Sequence, residues 1–138
     1  MARSPRCDWS TAGLLVRRVV AVVDCGIVIA SDQIAAQMEG GIGFGLSAAL
    51  HGAITLKDGI VQETNFERYL VLRMNEMPVV ETHIIASTSR PTGMGEPGVP
   101  PIAPAVANAM LALTGQPTSH LPFLDGNARS NADLSAQS

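Results

Sequence analysis

Three rhythms of hydrophobic and polar positions run along this chain, and each predicts a different element. Within Arg17–Asp24 the residues Val19 to Val23 are continuously apolar and mostly β-branched, and Cys25-Gly26 ends the run. That pattern predicts a strand buried on both faces and placed centrally in a sheet. From Ser31 to Leu50 the period lengthens, with Ile34, Met38, Ile42, Leu46 and Leu50 recurring every fourth residue. A helix with one apolar stripe follows, with Ser31 as its N-cap. Ala53-Ile54-Thr55-Leu56 and Ile60-Val61-Gln62 flank Lys57-Asp58-Gly59, whose Asp-Gly pair predicts a hairpin. Thr64–Met77 has no clean period and reads as irregular with a short strand at most. Val79–Ala86 returns to a strand pattern, and Pro101–Thr114 is a second helix, with prolines confined to its first turn and Gly115 as its stop. The fold class is α+β: a small mixed sheet with two principal helices packed on it.

Composition narrows what such a domain can do. The chain has 138 residues and a net charge of −3, with basic residues spread thinly, so it offers no footprint for nucleic acid and no polybasic membrane patch. Only 15% of residues are charged while 46% are hydrophobic, a balance that predicts surface meant for burial against other protein. Cys7 and Cys25 lack C-x-x-C spacing, so an iron–sulfur or zinc site cannot be built from cysteine here, and any redox relay belongs to another chain. No apolar run reaches the length of a membrane span, and Leu14-Leu15-Val16 is too short an apolar core for a secretory signal. Residues 1–16 are polar and aperiodic at their start and read as a non-native or disordered leader; 17–123 form the domain; 124–138 form a disordered tail.

Candidate chemistry is concentrated in two stretches. Gly93-Met94-Gly95-Glu96-Pro97-Gly98-Val99-Pro100-Pro101 holds three glycines, three prolines and a single ionisable group, Glu96. Proline stiffens this loop, and its glycines open conformations closed to other residues. It leads into a helix N-terminus, where backbone N–H groups can receive an anion. On local pattern alone Glu96 is a solvated turn residue. In the first helix Gly40, Gly41, Gly43 and Gly45 each cost up to about 1 kcal/mol relative to Ala, which predicts close approach by another backbone or a ligand. Their spacing is not G-x-G-x-x-G, so a dinucleotide-binding turn is excluded. Gln37, three residues after Ile34, falls near the inward face and reads from spacing alone either as a ligand-binding amide or as an ordinary buried glutamine. Asp24 at a strand end, Asn65 and Tyr69 in the irregular segment, and His83 in a strand read first as structural residues.

Four stretches in order resemble the molybdenum hydroxylases, the xanthine dehydrogenase and aldehyde oxidase family. They are Val22-Val23-Asp24-Cys25-Gly26; Gln37-Met38-Glu39-Gly40-Gly41 with Gly45-Leu46; Asn65-Phe66 through Tyr69 to Arg73-Met74-Asn75-Glu76-Met77-Pro78; and Gly95-Glu96-Pro97-Gly98. The resemblance covers about Arg17 to Phe123 and is closest to the C-terminal end of the molybdopterin-binding large subunit of the isoquinoline 1-oxidoreductase type. It implies part of the second molybdopterin-binding domain of an oxidoreductase that hydroxylates an N-heterocycle or aldehyde with oxygen from water. Glu96 would be the general base, Gln37 and Gly95 would contact the molybdenum–pterin cofactor in its cytosine dinucleotide form, and Asn65 and Tyr69 would lie near the pocket. The implied partners are the remainder of the large subunit, a small iron–sulfur subunit and a small-molecule substrate. Ile29-Ala30-Ser31 departs from the family's Asn-Pro at that point. The competing expectation is a cofactor-domain fragment or interaction module that is inactive without the preceding portion.

Overall fold

The structure, a computed structural model, describes residues 3–10 and 13–124. A three-stranded sheet in the order β1-β2-β5 is built from β1 (Arg3–Ser10), β2 (Gly13–Val23) and β5 (Val79–Ile84). β1 pairs antiparallel with β2, and β2 pairs parallel with β5, from Arg18 opposite Val79 to Val23 opposite Ile84. The sheet is therefore mixed, and the run expected to be central is central. One of its faces is fully buried, at Val19 and Ala21, whereas Val20 and Val22 are half-buried. On the strand's exposed side the Arg18 guanidinium donates two hydrogen bonds of 2.6 Å to the Glu81 carboxylate on β5, a pairing that needs water access and explains why the second face is not sealed. Of residues 1–16, expected to be a non-native or disordered leader, 3–10 form β1 and 13–16 begin β2, with Leu14 and Val16 buried in the core. β1 pairs with β2 from Arg3 opposite Val20 to Ser10 opposite Gly13, and Asp8 accepts a hydrogen bond from Arg17 between the two strands. Of the tail expected over 124–138, Leu124 packs against the core instead, and the residues from Asp125 onward lie outside the described residues.

α1 (Ser31–His51) and α2 (Ile102–Thr114) pack on the sheet and on each other. Met38, Ile42, Leu46 and Leu50 of the predicted stripe are buried, together with Val16, Val19, Ile102 and Val106, and make the core. α1 begins one residue earlier than the cap prediction: Ala30 is the N-cap, extended at φ −140° and ψ 98°, and Ser31 is already helical, with no side-chain cap. α2 ends at Gly115 in the left-handed conformation, φ 72°, as its position predicted. The hairpin forms between β3 (Leu56–Lys57) and β4 (Ile60–Val61), with Asp58 and Gly59 at φ 52° and 78°, the mirror-image turn that suits strand twist. Thr64–Met77 carries turns and no strand. Beyond α2, Phe123 returns to the core and its N–H donates to the Ala49 carbonyl, while Leu124 N–H donates to that of Leu50.

Candidate active site

The parallel pair β2 and β5 delivers two loops at the same end of the sheet, where their C-termini lie side by side. Ile85 N–H donates to the Val23 carbonyl, Ile27 N–H to that of Ser89, and Thr92 N–H to that of Cys25, so the two connections run together past the strands. Asp24 serves this junction: its carboxylate accepts the Gly26 N–H at 3.0 Å, the structural role expected for an acid at a strand end. Gly26 sits at φ 77° with the backbone of Ser89 and Arg90 close against it, which excludes a side chain there. From Thr92 the chain enters the Met94–Pro101 loop, held at the carboxyl end of the strands, where open α/β arrangements take ligands.

Contact with α1 fixes the shape of this loop. Val99 N–H donates to the Glu96 carbonyl at 2.8 Å, closing a turn with Pro97 at its first corner. Gly93, Gly95 and Gly98 do not take positive φ, so conformational freedom is not their use, contrary to the reading from composition. Gly98 is buried because a Cβ on it would stand 2.9 Å from the Met38 carbonyl oxygen and 3.0 Å from the Ile42 nitrogen of α1. From the other side, a Cβ on Gly41 would stand 3.3 Å from the Gly95 oxygen, and one on Gly45 would stand 2.8 Å from the Val99 oxygen. The helix glycines predicted to admit another backbone admit this loop. Ile102 of α2 is drawn into the same contact, and Pro104 in the first turn of α2 has no N–H to offer an anion.

Glu96 is thereby held on the outer edge of the turn, exposed, in a hollow with Gly93, Gly95, Pro97 and Pro100. Gln37 is not buried, as its spacing suggested, but exposed on α1, in a groove of about 480 Å³ that it shares with Gln33, Ile29, Pro91, Thr92 and Met94. Its amide stays off the core because Met38 and Ile42 occupy the inward positions. Gln37 thus shares its groove with Met94 and Glu96 shares its hollow with Gly95, and Gly95 lies against α1 one helical turn beyond Gln37. Neither side chain has a hydrogen-bond partner among the described residues. Asn65 is committed elsewhere, its side-chain oxygen accepting the N–H groups of Glu67 and Arg68. Tyr69 lines a separate hollow with Gly40, Phe44, Leu72 and Met77. Sequence spacing had left Gln33 unremarked, although its i, i+4 relation to Gln37 places both amides on one helix face.

Comparison with known proteins gives this geometry its class. The family described as "Molybdopterin cofactor-binding domain" matches residues 6–78, and the chain belongs to that family, within the molybdenum hydroxylases. The match includes Gln37 and ends upstream of Glu96. Among curated proteins, the isoquinoline 1-oxidoreductase subunit beta of Brevundimonas diminuta is 39% identical over 110 residues, covering 80% of this chain and 14% of the relative. A putative xanthine dehydrogenase molybdenum-binding subunit of Escherichia coli K12 is 27% identical over 123 residues, covering 84% and 16%. The solved quinoline 2-oxidoreductase of Pseudomonas putida 86 superposes with a TM-score of 0.74 at 25% identity, covering 83% of this chain and 16% of that one. The chain spans 14–16% of the length of these proteins.

Proposed function

We propose that this chain forms part of the active site of a molybdenum-dependent oxidoreductase that hydroxylates an electron-poor carbon of an N-heterocycle or aldehyde, with Glu96 as general base. The observation that carries the reading is the mount of Glu96, whose loop is seated by Gly98 on α1 beside the groove holding Gln37. The residues fit the cofactor. A free amide at Gln37 and the exposed backbone of Gly95 can hydrogen-bond the edge of a pterin. Molybdenum would be held through the pterin, in the cytosine dinucleotide form, which asks for no His, Cys, Asp or Glu ligands from this chain.

When bound, that group supplies the two-electron oxidation. Converting C–H to C–OH with water releases two electrons and two protons, and Glu96 would take one proton from the attacking oxygen. The turn at Glu96–Val99 holds the carboxylate in place. Electrons would leave through an iron–sulfur partner subunit. The alternative, a module without turnover of its own, is favoured for the isolated chain by its small share of its relatives' length. In the full-length subunit, Glu96→Gln preserves shape and should lower turnover at least a hundredfold, about 3 kcal/mol of barrier, with molybdenum and pterin content unchanged. Gln37→Ala should lower cofactor content more than the rate per bound cofactor. Near wild-type turnover by a fully loaded Glu96→Gln enzyme would leave Glu96 a turn residue only.

A further inference from the structure

α1 shows solvent a stripe that its own fold does not use. Gln33, Gln37, Gly40 and Phe44 follow one another at i, i+4, i+7 and i+11, on one face, and all four are exposed. Among the glycines of α1, Gly41 and Gly45 admit the Glu96 loop and Gly43 faces Met77, but a Cβ added at Gly40 would meet nothing within 4 Å. A glycine in the middle of a 21-residue helix weakens it relative to alanine, and nothing among the described residues gains from the missing methyl at Gly40. One turn away, the amide of Gln33 has no hydrogen-bond partner among the described residues and points into the groove of Gln37.

We infer that Gln33 and Gly40 extend the seat of which Gln37 is the centre: Gln33, in the groove of Gln37, hydrogen-bonds the ring edge of the pterin, and Gly40, which lines the hollow of Tyr69 on the same helix face, leaves room for the ring system against the helix backbone. This rests on the reading of Gln37 given above. From Gln33 to Gly40 the helix rises about 10 Å, comparable with the length of a fused three-ring system. The chemistry selects the rings over a phosphate, because the two amides are neutral and can both donate and accept, while the neighbouring charged residues of the helix, Asp32 and Glu39, are acidic.

The test uses the full-length subunit made with and without pterin synthesis in the host, reading molybdenum and released pterin per folded protein together with the Tm of the cofactor-free form. Gly40→Ala is expected to leave the cofactor-free Tm unchanged or raised, and to lower cofactor content at least fivefold. Gln33→Leu is expected to lower retention of cofactor on dilution two- to tenfold, with the cofactor-free Tm unchanged. Full content in both variants, when Gln37→Ala is depleted, overturns this inference and leaves the role of Gln37 standing. Full content in all three overturns both. A Gly40→Ala protein whose cofactor-free Tm falls shows that the gap serves packing by another part of the protein, which also overturns it.

Discussion

Glycine is the residue on which the candidate site turns, and its uses separate on inspection of what a methyl would touch. At Gly98, Gly41 and Gly45 the reason is contact: at Gly98 and Gly45 helix and loop approach to distances that no Cβ tolerates, and at Gly41 a Cβ would press on the Gly95 oxygen at 3.3 Å. A Gly45→Ala methyl would lie 2.8 Å from the Val99 oxygen and 2.6 Å from Ile102 Cγ2. The first of these is backbone, so the loop and not a side chain must move. We expect a loss of about 1–3 kcal/mol, measured by denaturant unfolding, against the gain that alanine gives in an ordinary helix. The expense of four glycines in one helix was legible in the sequence, and so was close packing as its main cause. What was not legible was the partner, because the loop that fills the space lies more than fifty residues along the chain. The same blindness misplaced Gln37, since spacing from Ile34 alone cannot say which side of a helix Met38 claims.

Among elements, those with a local cause were readable and those with a distant one were not. α1, α2, β2, β5 and the Asp58-Gly59 hairpin each follow from period, stop residue or turn chemistry within their own span. β1 has no alternation of its own and exists by pairing with β2. The pairing of β2 with β5 is likewise long-range, and its outer face is tied by Arg18 and Glu81. Hydrogen bonding by Arg18 holds the Glu81 carboxyl below its ordinary value, and the pair raises Arg18. A carboxyl depressed in the folded state stabilises the fold above its unfolded pKa, and that contribution disappears as pH falls through the folded one. The strand pair should therefore weaken on acidification from about pH 4 downward. Glu81→Gln should flatten that part of the stability profile and change little at neutral pH beyond the small loss expected of an exposed pair. An unchanged acid limb in the variant would show that the bridge does not couple to folding.

Taken as a whole, the molecule is closed by its far end. Phe123 is buried in the core between the helices and the sheet, and Phe123 and Leu124 donate their N–H groups to the carbonyls of Ala49 and Leu50 in the last turn of α1. His51 in the same turn stands 3.3 Å from Glu76, which brings the irregular 64–77 segment to that spot as well. Helix ends leave carbonyls that need partners, and here they are supplied from more than seventy residues away. Truncation after Gln116 should lower Tm by several degrees and raise protease sensitivity near Gly52, while an Ala tail after Leu124 should do neither. The order of synthesis gives this closure its meaning. The helix that carries Gln37 is made well before Phe123 and Leu124, so the carbonyls of Ala49 and Leu50 lack these two donors until residue 124 has been made. A nascent chain therefore cannot close the last turn of α1 before residue 124 is made, however early the rest of that helix forms.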